Sequence, residues 1–112
     1  MAEIPLLVLS PRPIWAWADT HLRADAPDEI QSFVQDLDSV PPDVEYVMIL
    51  GDLFDAWTGP ESWDLPAFVP LRDALIQLAQ RSIQVFLFRG NRDVLMNPKD
   101  AHRVQAQLVD RI

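Results

Sequence analysis

The sequence predicts an α/β fold built on a parallel sheet, and the order and composition of its apolar segments support that prediction. Three apolar runs of strand length, at 13–18, 45–50 and 83–88, alternate with segments whose apolar residues recur at helical spacing. The runs are apolar almost throughout rather than alternating, which is typical of parallel strands covered by helices. The β-α-β-α-β-α order therefore predicts parallel strands joined by right-handed helical crossovers.

The first half of the chain contains two strands and a helix. "PIWAWA" (13–18) is the first strand of the series, and "LLVL" (6–9) before it is a candidate edge strand. Residues 26–40 predict a helix with acids in its first turn, where they suit the helix dipole. Its apolar face consists of Ile30, Phe33, Val34 and Leu37. "EYVMIL" (45–50) is the second strand.

The second half repeats the pattern. A helix is predicted over 67–81, with Pro70 in its first turn, where a missing N–H costs nothing. Its apolar face consists of Leu71, Leu75, Leu78 and Ala79. "IQVFLF" (83–88) is the third strand, and "PKDAHRVQAQLV" (98–109) predicts a third helix.

The composition and charge of the chain exclude several classes of partner and site. A chain of 112 residues with 49% hydrophobic and 23% charged residues is globular and forms one domain (1–112). The net charge of −8 argues against a nucleic-acid partner, because binding to a phosphate backbone relies on clustered Lys and Arg. The absence of cysteine excludes disulfides, zinc–thiolate sites and thiol nucleophiles. The apolar start lacks a basic region and is interrupted by Glu3 and three prolines, so we expect neither a leader nor an integral membrane segment.

Polar residues follow each predicted strand. Asp19-Thr20-His21 follows the first, Gly51-Asp52 the second, and Gly90-Asn91-Arg92-Asp93 the third. In open parallel sheets ligands bind beyond the carboxyl ends of the strands, so these groups are expected at one rim. In extended chain an Asp and a His two residues apart point the same way and can grip one ion. Oxygen and nitrogen ligands without sulfur suit Mn, Fe, Zn or Mg.

Each of these signals has an ordinary structural explanation when taken alone. D-x-H is common by chance, Gly-Asp after a strand is often a turn, and Asn-Arg-Asp can cap a helix. Their occurrence in order, each at a strand end, favours a metal site. A Rossmann-like nucleotide site is disfavoured, because no G-x-G-x-x-G follows the first strand.

The set "DTH" … "GDLFDAW" … "GNRD" resembles the calcineurin-like metallophosphoesterases, whose signature runs D-x-H, G-D, G-N-[HR]-D. Within them the chain looks most like the N-terminal half of the UDP-2,3-diacylglucosamine pyrophosphohydrolases of lipid A synthesis, over roughly residues 14–100. The resemblance implies a parallel βαβαβ half of a two-sheet sandwich. It also implies a phosphoester or pyrophosphate hydrolase that acts on a phosphate-containing small molecule or a nucleotide-sugar lipid.

The resemblance also implies roles for individual residues. Asp19 and His21 would bind a first divalent ion, Asp52 would bridge two, and Asn91 would bind the second, with Mn²⁺ as the implied metal. A metal-bridging hydroxide would attack phosphorus. The catalytic residues of the third motif are then Asn91 together with Arg92, which faces the substrate phosphate, and Asp93, which orients its neighbours.

The downstream G-H and G-H-x-H motifs of the family have no match in this sequence, which leaves the second metal site incomplete. The remaining histidine, His102, is predicted to be an exposed helical residue. The alternative function is a non-catalytic remnant or a metal-binding fragment. Half a sandwich would leave one sheet face uncovered, so a homodimer or a complementing chain is a further hypothesis. The expected location is the cytoplasm or the inner face of the membrane.

The four tryptophans are expected to cover part of the open sheet face. Trp15 and Trp17 are predicted to lie in the core or on a sheet face. Trp57 and Trp63 follow the second strand, and either a place in the core or contact with a ligand suits them.

Overall fold

A computed structural model describes residues 14–18, 20–90 and 96–109 of the 112-residue chain. Within these ranges one parallel sheet has the order β1-β2-β3-β4, with strands Ile14–Trp17, Tyr46–Leu50, Gln84–Phe88 and Gln107–Val109. The helices are α1 (Pro27–Asp38), α2 (Val69–Gln80), α3 (Pro98–His102) and a 3-10 helix (Pro60–Asp64). The predicted α/β fold with a parallel sheet is confirmed. None of the helices in the described ranges combines the length and apolarity needed to cross a bilayer.

Three predicted strands and two predicted helices lie where the sequence placed them, with ends that differ by at most two residues. Pro27 opens α1 and Pro70 lies in the first turn of α2, where proline does not interrupt the hydrogen-bond ladder. The predicted edge strand at 6–9 lies outside the described residues.

The pleat of the strands sorts their side chains onto two faces. Val47 and Ile49 of β2, with Val85 and Leu87 of β3, join the core beneath the helices. Trp15 and Trp17 are half-buried against this same core, as the sequence predicted. The apolar faces predicted for α1 and α2 are buried here, apart from the half-buried Ala79.

The opposite face holds a smaller apolar cluster. Tyr46, Phe86 and Phe88 are only 3–5% exposed, and Met48 is half-buried beside them. No residue of the described helices belongs to this cluster. The sequence predicted that this face of the sheet would be exposed, and that prediction is wrong for the residues at its centre. The tryptophans do not cover it either, because they belong to the other cluster.

The third predicted helix is too long by about two turns. It ends at His102, and the chain then forms the unpredicted strand β4. Gln105 has a φ of 61°, its N–H donates to His102, and the N–H of Ala106 donates to the carbonyl of Ala101. This is a Schellman ending, in which one left-handed residue closes the helix. A glycine or asparagine usually marks that position, and Gln105 gave no such signal. His102 is exposed, as predicted.

Candidate metal centre

The segments that follow β1 and β2 run side by side at the carboxyl end of the sheet. The backbone N–H of His21 donates to the carbonyl of Asp52 at 2.8 Å, and that of Leu22 donates to Leu53 at 2.8 Å. The hydroxyl of Thr20 donates to the carbonyl of Leu53 at 3.1 Å. These bonds hold Thr20 and His21 of the D-T-H motif next to the G-D motif.

Asp52 occupies a position that the backbone makes tight. Its φ of 52° is left-handed and follows Gly51, whose φ is 91°. A Cβ on Gly90 would collide with Oδ1 and the backbone nitrogen of Asp52, and a Cβ on Gly51 would lie 3.4 Å from the Gly90 Cα. The space left by the missing Gly90 side chain is thus the space that the Asp52 carboxylate uses. Left-handed non-glycine residues cost free energy and are concentrated at functional sites.

His21 is also left-handed, with a φ of 46°. The extended backbone expected at His21 is therefore wrong, while the expectation that Asp19 and His21 share a face involves Asp19, which lies outside the described residues. The Nδ1 of His21 lies 4.0 Å from Oδ1 of Asp55, and the two side chains are 38% and 35% exposed. That distance is too long for a hydrogen bond. A carboxylate beside one ring nitrogen is the common way to orient a histidine that ligates metal through the other. We call His21, Asp52 and Asp55 the rim.

Sequence reasoning gave Asp55 no role, although it lies three residues after Asp52 in the motif. Four predicted site residues, Asp19, Asn91, Arg92 and Asp93, lie outside the described residues. Within 14–18, 20–90 and 96–109, no three His, Asp or Glu side chains converge tightly enough to hold a metal. The imidazole and carboxylates of the rim, with room for Asp52 at Gly90, suit a divalent cation in donor type.

A cluster of four aromatic side chains lies beneath the same loop. The Phe54 ring centroid is 4.9 Å from that of Trp57, 5.3 Å from Trp63 and 5.0 Å from Phe68. All four are buried, and Trp63 and Phe54 are 0% exposed. We call these residues the aromatic cluster. Trp57 and Trp63 are core residues, which settles the choice that the sequence left open.

A buried carboxylate joins this cluster to α3. Asp100 is 3% exposed, and its Oδ2 accepts hydrogen bonds from Trp57 Nε1 and from the backbone N–H of Asn97, both at 3.0 Å. Its backbone carbonyl accepts from Trp63 Nε1 at 2.9 Å. Sequence reasoning missed Asp100. The spacing Asn97-x-x-Asp100 matches a capping box and could have revealed the start of α3, though not the link to Trp57.

The depressions on the described surface include two that lie along β1 or beside the loop after β2. One, of about 350 Å³, adjoins the rim and is lined by residues that include Leu22, Arg23, Asp55 and Phe68. The Arg23 guanidinium there donates two hydrogen bonds to Asp25, which lower the pKa of that exposed carboxyl. The other, of about 520 Å³, runs along β1 and contains none of the predicted site residues. The first is therefore the one placed to receive part of a substrate.

Comparison with known proteins gives a consistent result. The family model for the calcineurin-like phosphoesterases matches residues 12–110. A protein from Shewanella piezotolerans named UDP-2,3-diacylglucosamine hydrolase is 36% identical over 94 residues, which cover 84% of this chain and 39% of the relative. A protein of the same name from Hahella chejuensis is 35% identical over 92 residues, covering 82% and 37%. The chain thus spans about two fifths of the length of these relatives.

Proposed function

Because the chain belongs to the calcineurin-like phosphoesterase family, we propose that it carries the first half of a divalent-metal site that hydrolyses a phosphoester or pyrophosphate bond. The observation that best supports this proposal is the pairing of His21 with Asp52. Backbone hydrogen bonds hold these two residues together at the carboxyl end of the sheet, and Gly90 leaves room for the carboxylate. The family implies divalent metal ions, and the donors of the rim fit them.

The residues of this chain would divide the work as follows. Asp19, His21, Asp52 and Asn91 would hold the ions, with Asp52 shared between the two. Bound divalent ions activate water and neutralise charge that develops on the phosphoryl group. Asp55 would orient the His21 ring, since its carboxylate lies beside Nδ1. Arg92 would donate to a phosphate oxygen and Asp93 would orient its neighbours, as guanidinium and carboxylate chemistry allow.

The names of the relatives suggest the substrate. We propose UDP-2,3-diacylglucosamine or a similar nucleotide-sugar lipid, with Mn²⁺ as the metal, in the cytoplasm or at the inner face of the membrane. The depression beside Asp55 would then take part of the organic group. The alternative function is metal binding without turnover, and the hydrolysis assay below separates it from the first.

The first test is a calorimetric titration of the chain with Mn²⁺, beside Asp52→Asn and the matched control Asp43→Asn. Asp43 is exposed and lies before β2, whereas Asp52 follows that strand, so both changes remove one charge at opposite ends of it. We expect Asp52→Asn to lower Mn²⁺ affinity by at least about tenfold, because direct ligands matter no less than their supporting partners. Asp43→Asn should bind like the unchanged chain.

Equal Mn²⁺ affinities in all three proteins would show that Asp52 is not a metal ligand. If the unchanged chain does not bind Mn²⁺, the proposed metal centre is wrong. If binding is observed, hydrolysis of bis-p-nitrophenyl phosphate separates the two functions. Turnover that Asp52→Asn abolishes supports the hydrolase, and binding without turnover supports the metal-binding fragment. Arg92→Ala adds a check on role assignment, since it should slow turnover while leaving Mn²⁺ affinity nearly intact.

A further inference from the structure

Asp100 connects two segments that are far apart in the sequence. Its carboxylate accepts from the indole of Trp57, 43 residues away, and from the N–H of Asn97 in the same bend of chain. Trp57 ends the stretch that begins at Gly51-Asp52, and Asn97 lies shortly after Gly90. One buried oxygen thus ties the loop after β2 to the segment after β3.

Capping alone does not explain a carboxylate in this place. A capping box works at the protein surface, where water solvates the acid, but Asp100 is 3% exposed. Burying a carboxylate is costly unless donors satisfy it, and here the indole of Trp57 is one of those donors. The fold therefore bears a desolvation cost that a neutral cap would avoid.

The neighbouring contacts fix the same region from its other side. Nε of Arg89 donates to the carbonyl of Met96 at 2.7 Å, which brings together the residue before Gly90 and the first described residue after the Asn91–Asp93 motif. Gly90 in turn lies against Asp52. The Arg89–Met96 contact therefore lies next to Gly90, which in turn contacts the loop that holds Asp52.

From this arrangement we infer that Asp100 is a positioning residue for the metal centre, acting through Trp57 and Asn97 to hold the segments after β2 and β3 in register. The inference rests on the proposed function for its chemical consequence. In the described part of the chain, Asp100 forms its hydrogen bonds with Trp57, Trp63 and Asn97 rather than with His21 or Asp52. Its loss should relax the spacing between Asp52 and Gly90 and thereby weaken the binding of a divalent cation.

The test compares Mn²⁺ affinity in Asp100→Ala, Asp100→Asn, Trp57→Phe and Trp63→Phe, under conditions where circular dichroism shows every variant folded. Asp100→Ala removes the acceptor and should lower affinity about tenfold, a typical loss for a residue that supports metal ligands. Asp100→Asn keeps an oxygen acceptor and should restore most of it. Trp57→Phe should weaken binding, whereas Trp63→Phe, which loses a bond to the backbone carbonyl of Asp100, should stay within about twofold.

Amide hydrogen exchange provides a readout that needs no metal. In Asp100→Ala we expect faster exchange at the His21 and Gly51 amides, while Val47 and Val85, in the middle of the sheet, keep their protection relative to global stability. A uniform rise at all four sites, or unchanged Mn²⁺ affinity in folded Asp100→Ala, would reduce Asp100 to a purely structural role and overturn the inference. Localised exchange with no Mn²⁺ binding by the unchanged chain would uphold the positioning and reject the proposed function.

Discussion

The stretch from Gly51 to Trp57 contributes to two regions with opposite properties, the rim and the aromatic cluster. Asp52 and Asp55 belong to the rim and are half-exposed, and the backbone of Asp52 is left-handed. Phe54 and Trp57, interleaved with them, are buried among aromatic rings. Seven residues thus supply both a strained part of the described site and a well-packed support for it.

The contrast explains why the rim can tolerate strain. A left-handed non-glycine residue costs of order 1–3 kcal/mol and persists only where the surroundings hold it. Here the support is local, because Leu53 and Phe54 follow the strained position directly and are nearly fully buried. The packing of the aromatic cluster therefore offsets the conformational strain at the rim. Changes in the two regions should therefore have separable effects on stability and on metal binding.

The largest expected effect lies in the cluster. Phe54→Ala removes a ring that contacts three others and is 0% exposed, and should cost about 3–5 kcal/mol of unfolding free energy through lost packing and the cavity left behind. Urea denaturation measures the loss, and the milder Phe54→Leu extends the series if the alanine variant fails to fold. Leu65→Ala, at a residue 42% exposed, is the control and should change stability by less than about 0.5 kcal/mol. Similar losses for Phe54→Ala and Leu65→Ala would mean that the cluster is not the support.

A smaller loss of stability, together with a large loss of Mn²⁺ affinity, is expected where the segments after β2 and β3 meet at Asp52 and Gly90. Gly90→Ala places a methyl group where the Asp52 carboxylate lies, so the carboxylate must move. We expect a cost of about 1–3 kcal/mol, typical of overpacking, and a clear loss of Mn²⁺ affinity. Thermal denaturation and calorimetric titration of the same sample measure the two effects.

Gly59→Ala is the matched control for that experiment. Its added Cβ would meet the end of the flexible Glu61 side chain, and its φ of 130° makes alanine strained. It should therefore lose stability while keeping Mn²⁺ affinity. If Gly90→Ala binds Mn²⁺ as tightly as the unchanged chain does, the rim does not depend on the space at Gly90. Gly90 would then affect stability alone, as the aromatic cluster does.

The sequence was most informative where one physical signal dominates. Continuous apolar runs located β1, β2 and β3, and periodic apolar residues located α1 and α2, because burial determines those segments. The short strand β4 was missed for a related reason. Its residues follow a helix end made by Gln105 in a left-handed conformation, which residue type alone does not announce.

The site was predicted from strand ends, and its finer features depend on tertiary contacts. The adjacency of the His21 and Asp52 segments follows from parallel strands and could be expected in advance. The left-handed backbone of His21, the approach of Asp55 and the burial of Asp100 could not, because each depends on residues distant in the chain. An isolated acid looks the same in sequence whether it is solvated or buried beneath an indole.

The smallest expected effect lies at the outer edge of the aromatic cluster, where the exposed Asp64 accepts hydrogen bonds from Arg103 and Arg72. The hydrogen bond from Arg103 lowers the pKa of Asp64 below its ordinary value of 3.8, so the folded state binds this proton more weakly than the unfolded state. The stabilisation is therefore present above the unfolded pKa and is lost as pH falls through the lowered folded value. Exposed pairs contribute little, so Asp64→Asn should only slightly lower the urea midpoint near neutral pH.

The pH series decides whether that small loss comes from charge. Urea midpoints of the unchanged chain and of Asp64→Asn should differ above the unfolded pKa of Asp64 and converge at more acidic pH, once the carboxyl is protonated in both states. Added salt should shrink the difference near neutral pH, because Asp64 and Arg103 are 54% and 40% exposed. A difference that persists in acid and in high salt would mean that the side chain acts through packing. The support beneath the rim would then extend beyond the aromatic rings to the turn that Arg103 closes by donating to the carbonyl of Pro60.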